Sequence, residues 1–307
     1  MQDLYGLPKL RDSLSYLYVE HAVIEQAGHS VELWQKEGRT LVPAASLCVL
    51  MLGPGTKITH AAVKVLAENG CSMLWTGEEM THFYAQGLGE TRKAYHLLKQ
   101  AELACDTVKH TRVVIRMYQM RFEEQLDPSL TLPQIRGFEG VRVRRAYKKA
   151  SETYGVEWHG RIYDRFNWGG SDPINRALSA ANATLNSVCH AAIVSGGYSP
   201  AIGFVHTGKQ LSFVYDVADL YKADLTIPIA FAIVAESKEN IERRARMACR
   251  EKFRELKLLE RILPDIDELL EVPPEPTERN DATDIDVDPA LPTDLWPDLV
   301  QESETTR

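Results

Sequence analysis

The hydrophobic period of this chain changes once, near Thr91, and that change limits what the chain can fold into. Up to about Gln86, apolar residues come in short runs rich in β-branched and aromatic side chains, at 14–20, 30–34, 40–43, 46–52, 71–75 and 81–86. Turn residues such as Ala27-Gly28 and Glu37-Gly38 separate them, which is the pattern of strands. One helix interrupts the series. Gly53-Pro54-Gly55 stops a strand, Thr59 suits an N-cap, and His60–Glu68 closes at Asn69-Gly70. After Thr91 the spacing predicts helices over 93–103, 107–121, 134–153, 173–195, 213–222, 228–234 and 239–263. Asp172 before Pro173 is a helix start, and Gly196-Gly197 a helix end. The expected fold is α+β: an N-terminal β-rich domain with one short helix (1–87), a hinge at Gly87-Leu88-Gly89, and an all-α C-terminal domain (88–272).

Residues 273–307 read differently. They hold ten Asp or Glu and two Arg, a net of −8, which equals the net charge of the whole chain. The remaining 272 residues hold 33 acidic and 33 basic groups and are neutral. The body is therefore free to turn a basic face to nucleic acid. A proline-rich acidic segment buries too little apolar surface to fold alone, so a disordered tail is expected. Leu291, Leu295 and Trp296 are spaced as anchors for docking on a partner; a plain solubilising tail fits equally. No apolar run reaches the length of a membrane span, and the start lacks a basic segment followed by an apolar one. The five cysteines are scattered and form no CxxC pair, which points to thiols in a reducing cytoplasm and away from zinc.

The chemistry-bearing groups gather in a few places. In 201–222 an apolar run broken by Gly203 reaches His206, turns at Thr207-Gly208, and enters a helical segment carrying Asp216 and Asp219. Three residues apart, those carboxylates share a helix face, and Lys222 extends the row. Their neighbours are apolar, and charged groups on an apolar helix need a partner or a metal. One imidazole with carboxylates and no thiolate suits Mg²⁺ or Mn²⁺. Upstream, Glu139 lies between Gly137 and Gly140, where two helix-weakening glycines suggest close approach of a backbone or ligand. Arg142, Arg144, Arg145, Lys148 and Lys149 follow it, and Arg243, Arg246 and Arg250 share a face of a later helix. Such rows suit a phosphate backbone. Tyr163, Phe166 and Trp168, interleaved with arginine, suit stacking on unpaired bases. Each group also has an ordinary reading: His206 as a structural histidine, Asp216 as an ion-pair partner of Lys222 or an arginine, Glu139 paired with Arg136 or Arg142, the basic rows as solvated faces.

The segments Gln134-Ile-Arg-Gly-Phe-Glu-Gly-Val-Arg-Val-Arg, Tyr198-Ser-Pro-Ala-Ile-Gly-Phe-Val-His-Thr-Gly-Lys and Leu211-Ser-Phe-Val-Tyr-Asp-Val-Ala-Asp-Leu-Tyr-Lys resemble the CRISPR-associated integrase that captures new spacers, in its type I-E version. Gly53-Pro-Gly-Thr-Lys-Ile-Thr-His-Ala-Ala-Val and the 75–84 region fit as well, and the likeness runs from about Leu14 to Leu263. The resemblance implies an N-terminal β domain that dimerises and a helical catalytic domain. It implies a divalent metal, Mg²⁺ or Mn²⁺, on Glu139, His206 and Asp219, with Asp216 as a further acidic member of the site. It implies DNA contacts at Lys57, Lys64, Arg136, Arg142, Tyr163, Trp168, Lys209, Lys222, Arg243 and Arg246. It implies homodimers, and an assembly of four such chains with two copies of a small ferredoxin-like partner that the tail would contact. The reaction implied is attack of prespacer 3′-hydroxyls on phosphodiesters at the edge of a CRISPR repeat. His82 and Asn186 depart from the family pattern, where relatives can carry an arginine and a tyrosine. A structure-selective nuclease of branched DNA and a non-catalytic DNA-binding subunit are the rival readings.

Overall fold

The computed structural model describes residues 16–78, 83–87, 94–122, 125–127, 129–161 and 172–272. The tail 273–307, with Leu291, Leu295 and Trp296, and the stretch holding Tyr163, Phe166 and Trp168 lie outside the described residues, as does His82.

The N-terminal part builds two four-stranded sheets. In the first, β1 (Tyr16–Val19), β5 (Val49–Leu52) and β7 (Ser72–Thr76) run parallel, and β8 (Phe83–Gly87) closes the edge antiparallel. In the second, β2 (Val23–Ala27), β3 (Ser30–Gln35) and β4 (Gly38–Pro43) form an antiparallel meander, with the two-residue β6 (Lys57–Ile58) parallel to β2. The expectation missed β2 and β6. Only Ile24 is buried in β2, so its alternation is weak, and β6 is too short to show a period. Helix α1 (His60–Glu68) matches the expectation: Thr59 Oγ1 accepts from Ala62 N at 3.3 Å, and Asn69 caps the other end.

Strand β5 is buried along its whole length because it has a core on each side. Alternate side chains of a strand point to opposite faces. Leu50 and Leu52 pack with Ile24, Leu33, Leu66 and Met73 in an N-terminal core, whereas Val49 and Met51 join Leu74 in the main core with the helices. The first sheet is thus a wall shared by both cores.

The helices are α2 (Tyr95–Cys105), α3 (Thr107–Gln119), α4 (Leu132–Tyr154), α5 (Pro173–Ser195), α6 (Ser212–Ala218), α7 (Thr226–Glu236), α8 (Ile241–Glu255) and α9 (Leu258–Leu270). Asp106 caps α3 by accepting from Val108 N and Lys109 N, each at 2.8 Å. Pro173 opens α5, with Asp172 as its cap. From Thr184 to Ser195 every residue of α5 except Asn186 is buried, because α6, α7, α8, α9 and β7 pack around it. Two expectations are corrected. The helix expected over 213–222 ends at Ala218. The one expected over 239–263 is two, broken where Lys257 takes a left-handed φ of 48°. Pro264 lies inside α9, where seven buried apolar residues offset the lost backbone bond.

Candidate active site

His206 sits on the loop between α5 and α6, and two buried side chains shape that loop. Gln100 of α2, with no exposed surface, accepts from Ser199 N at 2.8 Å and donates to Ser199 O at 3.0 Å and Ile202 O at 2.8 Å. Asp216 of α6, likewise fully buried, accepts from Phe204 N at 2.6 Å, Val205 N at 3.1 Å and His206 N at 2.8 Å. Its Oδ1 also receives the imidazole, with His206 Nδ1 at 2.7 Å. Three backbone N–H donors on one carboxylate leave it only an accepting role, so Nδ1 donates to it and Nε2 is the ring nitrogen left for another partner. Asp216 therefore fixes the orientation of His206, and the ion pair with Lys222 weighed above is not what holds it.

On the other side of the ring, His206 Nε2 lies 3.9 Å from Asp219 Oδ2, and the side chain of His206 is 41 % exposed. The expected shared face of Asp216 and Asp219 is realised around one imidazole: one carboxylate holds Nδ1, the other faces Nε2. Asp219 is the C-cap of α6, and Lys222 donates to its Oδ1. Tyr215 stands edge-on to the imidazole with ring centres 5.9 Å apart, and Lys209 Nζ lies 5.9 Å over the Tyr215 ring.

Glu139 reaches this group through a residue that sequence reasoning missed. Arg121, just past α3, is buried; its Nη1 lies 3.3 Å from Glu139 Oε1 and its Nη2 3.9 Å from Asp219 Oδ2. Arg142 clamps Glu139 from the next turn of α4, with Nε 2.8 Å from Oε2 and Nη2 3.1 Å from Oε1. Those bonds raise the Arg142 pKa above its ordinary value. A lone arginine at a helix end carries no sequence signal, which is why Arg121 went unseen. The pairing of Glu139 with Arg142 was foreseen.

The donor types fit a hard divalent ion: an imidazole whose Nδ1 is held by Asp216 and whose Nε2 is free, and two further carboxylates. Their present arrangement is bridged by cations. Among the described residues no three His, Cys, Asp or Glu side chains are gathered closely enough to hold a metal, since Arg121, Arg142 and Lys222 stand on Glu139 and Asp219.

The remaining predicted residues divide in two. Arg142, Lys209 and Lys222 lie at the site, and Arg136 is exposed one turn before Glu139 on α4. Lys57 is on β6, Lys64 on α1 pairs with Glu68 at 3.6 Å, and Arg243 and Arg246 are on α8. Arg243 is exposed, whereas Arg246 buries its Nε without a hydrogen-bond partner. The glycines beside Glu139 have room: a Cβ on Gly137 meets nothing within 4 Å, and one on Gly140 meets only Arg144.

The family described as CRISPR associated protein Cas1 matches residues 114–249, a span that holds Arg121, Glu139, His206 and Asp219. The CRISPR-associated endonuclease Cas1 2 of Thermus thermophilus is 55% identical over 303 residues, covering 99% of this chain and 92% of that protein. The chain belongs to the Cas1 family. Another Cas1 relative, the CRISPR-associated endonuclease of Escherichia coli K12, is 41% identical over 274 residues, 88% of this chain and 90% of that one. A solved structure of a TtCas1–DNA complex superposes with a TM-score of 0.78 at 57% identity, covering 87% of this chain and 100% of that chain. The Cas1 relationship includes the N-terminal sheets as well as the helices. No helix among the described residues is long and apolar enough to cross a membrane.

Proposed function

We propose that this Cas1 chain is a DNA integrase and endonuclease of spacer acquisition. It would join prespacer 3′-hydroxyls to phosphodiesters at a CRISPR repeat, in a type I-E system of the cytoplasm. The observation that supports the reading is that Arg121 links Glu139 of α4 to Asp219 at the end of α6, and Asp219 faces His206 Nε2, in a chain related along nearly its whole length to a named CRISPR endonuclease. The relative solved as a DNA complex supports DNA as substrate.

In this reading Glu139, His206 and Asp219 would hold Mg²⁺ or Mn²⁺. When bound it supplies Lewis-acid stabilisation of charge on the phosphodiester oxygens and a more acidic attacking hydroxyl. The chain's own groups do the rest. Asp216 keeps the His206 ring in one orientation and one tautomer. Arg142, Lys209, Lys222 and Arg136 neutralise phosphates of the DNA strands, and Lys57, Lys64, Arg243 and Arg246 hold duplex farther away. Tyr163 and Trp168 take strand ends. The chain works as a homodimer, four copies flanking two of a small ferredoxin-like partner. The tail, through Leu291, Leu295 and Trp296, docks on that partner.

The test incubates the full chain and its partner with a labelled duplex bearing free 3′-hydroxyls, a plasmid carrying the repeat, and Mg²⁺. A branched joined product supports the reading. Cleavage without joining favours the second reading, a structure-selective nuclease, which the relatives' name of endonuclease also favours.

A further inference from the structure

Cations stand on both carboxylates of the proposed metal site: Arg121 and Arg142 on Glu139, Arg121 and Lys222 on Asp219. The three cations differ in freedom. The side chain of Arg121 is 4 % exposed, and its Nε and Nη2 are buried without a hydrogen-bond acceptor. The side chains of Arg142 and Lys222 are 22 % and 29 % exposed; each holds the carboxylate three residues before it, and the Arg142 guanidinium also lies 5.9 Å over the Phe122 ring. Each is a long flexible chain rooted on a partly open surface. Both can swing outward without disturbing the core.

We infer that Arg142 and Lys222 are exchangeable counter-ions that link DNA binding to metal loading. With no polyanion present they occupy Glu139 and Asp219, the carboxylates that a divalent ion needs. A phosphodiester backbone offers them a competing anion. When they move onto it, both carboxylates are freed beside the fixed imidazole. The two ligands then bind cooperatively, and by linkage the metal tightens DNA binding by the factor with which DNA tightens metal binding. Arg121 stays behind and keeps Glu139 and Asp219 from repelling each other in the interval. This inference rests on the metal reading above and adds to it the route by which the site is loaded.

The test is equilibrium binding of Mn²⁺ to the metal-free full chain, followed by electron paramagnetic resonance of free Mn²⁺. It is run with and without a short DNA duplex, with a blank for Mn²⁺ held by the duplex alone. Wild type is compared with Arg142→Met and Lys222→Met; Arg142→Gln and Lys222→Gln replace them where thermal unfolding shows a folding defect. Removing a positive charge in contact with a metal-ligating carboxylate changes cation affinity by about tenfold. Each variant is expected to bind Mn²⁺ about tenfold tighter than wild type without DNA. The duplex is expected to tighten Mn²⁺ binding in wild type and clearly less in the variants. If the variants bind no tighter than wild type, or the duplex tightens them as much, the inference is overturned and coupling comes from direct phosphate ligation. If no form binds Mn²⁺ with or without the duplex, the metal reading itself falls, a result distinct from the first.

Discussion

Asp216 receives four donors: three consecutive backbone amides and the imidazole of His206. An amide in its place presents an NH₂ where an acceptor is needed, leaving buried N–H groups unmatched. Hydrogen bonds to a charged group contribute about 1.5–3 kcal/mol each, so Asp216→Asn is expected to lower stability by about 3 kcal/mol or more. Chemical denaturation checks this; an unchanged midpoint would refute the positioning role. His190 makes a second residue-level case. It is buried against Phe83, its Nε2 has no partner, and burial pulls its pKa down to about 4. Because the folded value lies below the unfolded one, the unfolded chain binds the extra proton as pH falls. The stability that neutral His190 permits is complete above about pH 6.5 and declines from there towards pH 4, by up to about 1.4 kcal/mol for each unit of the shift. The variant His190→Phe should flatten that slope between pH 7.5 and 5. An identical slope would count against it.

At the scale of elements, glycine has opposite meanings in α4 and in the His206 loop. Space around Gly137 is open, and glycine inside a helix costs about 0.5–1 kcal/mol relative to alanine. Gly137→Ala is therefore expected to stabilise the folded chain by that amount in denaturant titration, whatever it does to DNA binding. A Cβ on Gly203 collides instead with the carbonyl of His206 and with Ser212, where the loop folds back on the start of α6. Gly203→Ala must open that turn; a loss of several kcal/mol, or failure to fold, is expected from the same titration. The sequence read α1 and α5 well because caps and a proline mark them, and α3 by its helical spacing. It read α8 and α9 as one helix because the break at Lys257 carries neither glycine nor proline. Only tertiary packing of Leu258, Leu259 and Ile262 into the main core favours the break.

For the whole molecule, the split between strands and helices was legible. The shared wall was not. Spacing along β5 shows a buried strand but not that its two faces serve different cores. The candidate site was legible in its parts: motifs pointed to Glu139, His206, Asp216 and Asp219, and i,i+3 geometry to the Asp216–Asp219 face. The buried guanidinium of Arg121, which ties α4 to the end of α6, required coordinates. The central claim is that Glu139 and Asp219, 80 residues apart in sequence, serve one chemical centre. Groups that act as a unit give strongly non-additive losses. The most direct measurement is the strand-joining rate of Glu139→Gln, Asp219→Asn and the double variant. The account predicts that each single change lowers the rate by about a hundredfold or more and that the double variant falls little further. Losses that multiply in the double variant, or a single variant joining at the wild-type rate, would contradict it.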